Sequence, residues 1–156
     1  CKLDLSCLDD AFRNAALEGK WELLCQYLAD HYYEDSSIRD AIQGEHNIQG
    51  YFKAYLNLSG LFVTHPEVEM NHGYCDFFLL ADTKKYSPLK HSFIIEVKYL
   101  KADASEAEAY RQWEEAEKQV KGYAEDKTVK ALTTDVQLHC IVMQFKGGKL
   151  LRKDEV

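Results

Sequence analysis

No stretch of this sequence approaches the roughly 18 consecutive apolar residues that a membrane-spanning helix requires, and no leader-like pattern opens it. It also has no C-x-x-C pair and no H-x-x-x-H spacing. Its five cysteines, Cys1, Cys7, Cys25, Cys75 and Cys140, are odd in number and widely scattered. This pattern argues against a cysteine-built zinc site and a disulfide scaffold, and suits a reducing, cytoplasmic setting with no membrane partner. A basic excess is missing as well. The 19 Lys and Arg against 26 Asp and Glu leave a formal charge of −7, which argues against a protein that coats nucleic acid through a positive surface. There is no internal repeat, low-complexity tract or interdomain linker. The first residue is Cys1 rather than methionine, so the chain is expected to be a fragment of a longer polypeptide.

What is present is an ordinary globular composition, 46% hydrophobic and 29% charged over 156 residues, enough for one domain with a hydrophobic core. The expected organisation is a single domain over 1–156, with a helical lead-in to about residue 43 and a core over 44–156. Leu8, Phe12, Ala15 and Ala16 recur at helical spacing, with Gly19 placed to cap them. Trp21, Leu24, Cys25 and Leu28 mark a second helix, broken at Asp35-Ser36-Ser37, where Ser37 is a candidate N-cap. A third helix is expected from about Glu45 to Leu58, ended by Gly60.

The period then changes. Leu61–Met70 reads as a strand that Pro66 confines to an edge or bulge. Gly73–Ala81 and His91–Leu100 are two further strands, nearly continuous in apolar residues and joined by a polar connection over 82–90. Ser105 and Glu108 form a capping box for a long helix carrying Trp113, Ala116, Val120 and Tyr123 on one face. After a polar link, Val136–Phe145 is a strand, Gly147-Gly148 a tight turn, and Lys149–Arg152 a short last strand. The expected fold is α/β, a mixed sheet with helices on both sides.

The anomaly is charge inside the apolar strands. Asp76 interrupts one, and Glu96 and Lys98 interrupt the next. Residues i and i+2 of a strand share a face, so Glu96 and Lys98 project together. If the two strands pair across 82–90, Asp76 meets Glu96 over the ladder. Burying such charges costs several kcal/mol unless something compensates. A hard divalent cation with oxygen ligands is one candidate; an ion pair of Lys98 with Glu96 or Asp76 is the other.

The blocks Gly73-Tyr74-Cys75-Asp76, Ile94-Ile95-Glu96-Val97-Lys98 and Gln119-Val120-Lys121-Gly122-Tyr123-Ala124 together resemble the PD-(D/E)XK nuclease superfamily. Within it the sequence is similar to the C-terminal nuclease-like domains of bacterial AAA-ATPase-like proteins. The likeness covers about residues 8–152, with Tyr74 where the family usually has arginine and a long interval between Asp76 and Glu96. It implies a restriction-endonuclease-like, three-layer α/β/α core preceded by N-terminal helices. It further implies Mg2+ or Mn2+ held by Asp76, Glu96 and the Val97 carbonyl, lowering the pKa of a water and stabilising charge on a phosphodiester. Lys98 would orient that water or offset phosphate charge. Glu45 would complete the acidic side, with Glu67 and Glu69 as alternatives on the preceding strand. Gln119 would hydrogen-bond near the site, with Tyr123 one turn further on.

The implied activity is metal-dependent hydrolysis of phosphodiester bonds, with DNA as the expected substrate and an ATPase-like domain in the same polypeptide. The alternative is a silent module that keeps the nuclease fold for interaction or regulation. The charge of −7 and Tyr74 favour the latter; the triplet Asp76, Glu96 and Lys98 favours the enzyme. Lys84, Lys85, Lys90, Lys101 and Lys121 are either solvated or available to a DNA backbone.

Overall fold

Asp4 starts the first helix. Its carboxylate accepts the N–H groups of Ser6 at 2.9 Å and Cys7 at 3.4 Å, satisfying donors that a helix start leaves without intrahelical partners. The computed structural model of the chain describes residues 3–35, 44–66, 69–70 and 73–156. Helix α1 spans Leu5–Glu18 and ends at Gly19, which takes a φ of 71° and returns its N–H to Ala15. A Cβ at residue 19 would sit 2.8 Å from His91 Nδ1, so this turn needs glycine for space as well as conformation. Helices α2 (Glu22–Glu34) and α3 (Glu45–Leu56) follow. Ser36 and Ser37 lie outside the described residues.

Strand β1 is Phe62–Pro66, β2 Glu69–Met70, β3 Gly73–Tyr74, β4 Phe77–Ala81 and β5 His91–Leu100. Helices α4 (Glu106–Ala124) and α5 (Lys127–Leu132) lead to β6 (Gln137–Lys146) and β7 (Lys149–Glu155). The main sheet runs β1-β4-β5-β6-β7, and β2 pairs with β3 as a separate ribbon. All main-sheet neighbours are antiparallel except β5 and β6, which are parallel and joined by the α4–α5 crossover. The β6–β7 hairpin turns on Gly147 and Gly148, both at positive φ, as a two-residue turn between twisted strands demands.

Three details differ from the sequence reading. The Leu61–Met70 strand is two elements, because proline at the end of β1 has no N–H to continue a ladder. The Gly73–Ala81 strand is also two, parted at Cys75 and Asp76, where the Val97 N–H goes to the Asp76 carboxylate. The polar link after α4 contains α5, whose N-cap Asp126 accepts from Thr128 at 2.8 Å and whose Val129 is buried.

Strand alternation divides the interior. Phe93, Ile95 and Val97 of β5 join Phe77, Leu79, Ile141 and Met143 in a core covered by α1, α2 and α3. Ile94 faces the other way, with Phe78 and Val142, against Trp113, Ala116, Val120 and Tyr123 of α4. The result is a three-layer α/β/α arrangement in which each sheet face has its own apolar core. Glu96 and Lys98 share the parity of Ile94, which turns them to the α4 side.

Candidate active site

The ladder fixes where the charged residues stand. Phe77 pairs with Ile95, so Asp76, one position before the start of β4, comes opposite Glu96. The Asp76 N–H points at Glu96 Oε2, 3.5 Å away. On the next residue of the same face, Lys98 Nζ lies 2.9 Å from Glu96 Oε1. The Glu96 side chain is 3% exposed and that of Lys98 17%, so this ion pair is largely shielded from water. Asp76 is held from two sides. The Val97 N–H donates to its Oδ2 at 2.8 Å, and Gln49 Nε2 on α3 donates to its Oδ1 at 3.0 Å. Two carboxylates and an ammonium therefore meet where β4 begins beside β5.

The neighbours register the negative charge. Burial pushes the Cys75 thiol well up, and the charges of Glu96 and Asp76 push it further, so it stays protonated. Its Sγ donates to the Phe77 carbonyl at 3.2 Å. The Tyr123 phenol is raised in the same way, first by burial and then by Glu96, Cys75 and Asp76. These two groups act as neutral walls on the α4 side of the acidic pair.

Other residues singled out in the sequence fall differently. The Val97 side chain is fully buried on the opposite face of β5, in the core under α1, α2 and α3, so only its backbone faces the site. Gln119 is exposed on α4, and its side chain takes no part in the hydrogen bonds described around Asp76 and Glu96. Glu45 is the first residue of α3, one turn before Gln49, and its side chain lies outside what the structure describes. Glu67 lies outside the described residues, and Glu69 is in β2, opposite Tyr74 in the β2–β3 ribbon. Sequence reasoning missed Gln49. Its only local signal is a spacing of four from Glu45, which places both on one side of α3.

Among the described residues no three His, Cys, Asp or Glu side chains gather as a metal cluster. The donors that do meet are hard oxygens: the carboxylates of Asp76 and Glu96, with the Val97 carbonyl leaving β5 on the same edge as the N–H that binds Asp76. That set fits Mg2+ or Mn2+, which take one or two carboxylates and complete their shell with water and substrate phosphate.

The family profile of the PD-(D/E)XK nuclease superfamily matches residues 43–155 of the chain. No curated protein and no solved structure matches it. No helix among the described residues is long and apolar enough to cross a membrane.

Proposed function

This chain belongs to the PD-(D/E)XK nuclease superfamily, and on that premise we propose that it is a metal-dependent nuclease hydrolysing phosphodiester bonds in DNA. The observation that carries the reading is the meeting of Asp76 and Glu96 at one end of the β4–β5 ladder, with Lys98 on the same face. Asp76, Glu96 and the Val97 carbonyl hold Mg2+ or Mn2+. A bound divalent cation supplies charge neutralisation at the phosphodiester and acidifies water. Lys98, paired with Glu96 in the structure, would orient the attacking water or offset phosphate charge. Glu45, at the start of α3, completes the acidic side. Gln119, exposed at the border of the buried face of α4, contacts substrate or solvent near the site.

A domain with a formal charge of −7 has little long-range attraction for a polyanion. On this reading DNA affinity is supplied in part by a neighbouring ATPase-like domain, as the sequence resemblance implies. The test is a DNA cleavage time course in Mg2+, in Mn2+ and in EDTA, with wild type beside Asp76→Ala. Cleavage that needs the metal and is lost in Asp76→Ala supports the proposal. Absence of metal-dependent cleavage, alone and with the full-length protein, makes the domain a silent module.

A further inference from the structure

We propose that Gln49 is a positioning residue for Asp76, an inference that rests on the metal-holding role given to Asp76 above. Two donors to the Asp76 carboxylate come from different layers of the fold. The Val97 N–H belongs to β5 and reaches Oδ2 at 2.8 Å; Gln49 Nε2 belongs to α3 and reaches Oδ1 at 3.0 Å. One donor on each oxygen fixes the rotation of the carboxylate about its own axis.

The backbone of Gln49 is itself well fixed. Its neighbours Ile48 and Phe52 are fully buried in the core beneath the sheet. The Phe52 ring packs 6.4 Å from that of Phe77, the residue directly after Asp76. Two residues past Gln49, the Tyr51 hydroxyl bonds His31 Nδ1 of α2 at 2.8 Å in a buried contact. The carboxamide thus extends from a helix anchored on both sides to a residue that lies in a bend, outside any strand. At that bend, donors from two layers of the fold hold its carboxylate. Hydrogen-bond partners of metal-ligating carboxylates typically change metal affinity by about 10- to 100-fold when removed.

The experiment measures Mn2+ affinity by electron paramagnetic resonance of the free ion, with a non-hydrolysable DNA duplex present, for wild type, Gln49→Met, Gln49→Ala and Asp76→Ala. Gln49→Met keeps the length of the side chain and removes the donor. The melting temperature of each metal-free protein is recorded alongside. Mn2+ affinity about 10-fold weaker or more in both Gln49 variants, with melting temperature little changed, is the expected result. If Gln49→Met binds Mn2+ as wild type does while Asp76→Ala has lost it, the positioning role is overturned and the metal site stands. If Asp76→Ala binds as wild type, or wild type binds no Mn2+, the metal-holding reading fails and takes this inference with it.

Discussion

Glu96 Oε1 accepts Lys98 Nζ at 2.9 Å from two residues along its own strand, on a face otherwise given to the apolar core beneath α4. The contact makes Lys98 a counter-ion to the shielded carboxylate when no metal is bound. A bound cation and this ammonium are then competitors for the same charge, and the two can be separated by mutation.

Removing the ammonium should therefore be felt most in metal-free protein. Lys98→Ala is expected to destabilise it by about 3 kcal/mol, the scale for breaking a shielded ion pair from one side. Mn2+ in the buffer should recover part of the loss. Urea denaturation with and without Mn2+ checks both points, and equal losses in the two conditions would show that metal and Lys98 do not share Glu96.

Acid stability should depend on the far end of β5. His91 Nδ1 meets His139 Nε2 at 2.8 Å, and His139 Nδ1 contacts Glu155. Burial, and next the proximity of His139, lower the His91 pKa below its ordinary 6.5, with Glu155 opposing. The unfolded chain therefore takes up this proton more readily than the folded one. The contribution of His91 to stability is full above about pH 6.5 and is lost as the pH falls through the lowered value. Urea midpoints measured from about pH 8 to pH 5 should fall more steeply for wild type than for His91→Asn.

The α1–α2 turn offers a test remote from any chemistry. Gly19→Ala meets both a left-handed backbone and the His91 ring at 2.8 Å. The conformational part alone costs about 1–2 kcal/mol, so the measured loss should exceed that. Thermal melts decide it, and metal-dependent cleavage per folded molecule should be unchanged.

Much of this arrangement is legible along the chain because its causes are local. The parity of Glu96 and Lys98 follows from a strand period of two, and the 82–90 connection brings β4 back beside β5. The Ser105 and Glu108 capping box forms as its spacing implies, and Gly147-Gly148 makes the turn. What escapes is decided by tertiary partners. Nothing near Gln49 in sequence announces a contact with Asp76, twenty-seven positions away. The apolar run Gly73–Ala81 conceals its own break, because the Asp76 side chain takes an N–H that a continued strand would have paired with backbone. Helix α5 is too short to show a helical period, and only Asp126 ahead of a buried Val129 betrays it. Gln119 carries no local signal beyond its place in the Gln119–Ala124 block, and its exposed side chain on α4 is outside the described hydrogen bonds of the acidic pair.

If Asp76, Glu96 and the Val97 carbonyl hold the catalytic cation, a metal bound in the crystal lies among them. Anomalous scattering from crystals grown with Mn2+ and a non-hydrolysable DNA duplex tests it most directly. The expected result is a manganese peak within coordination distance of both carboxylates and of the Val97 oxygen, with Lys98 Nζ withdrawn from its 2.9 Å contact with Glu96. A manganese peak elsewhere on the chain, with the Lys98–Glu96 pair still closed beside bound DNA, would contradict it.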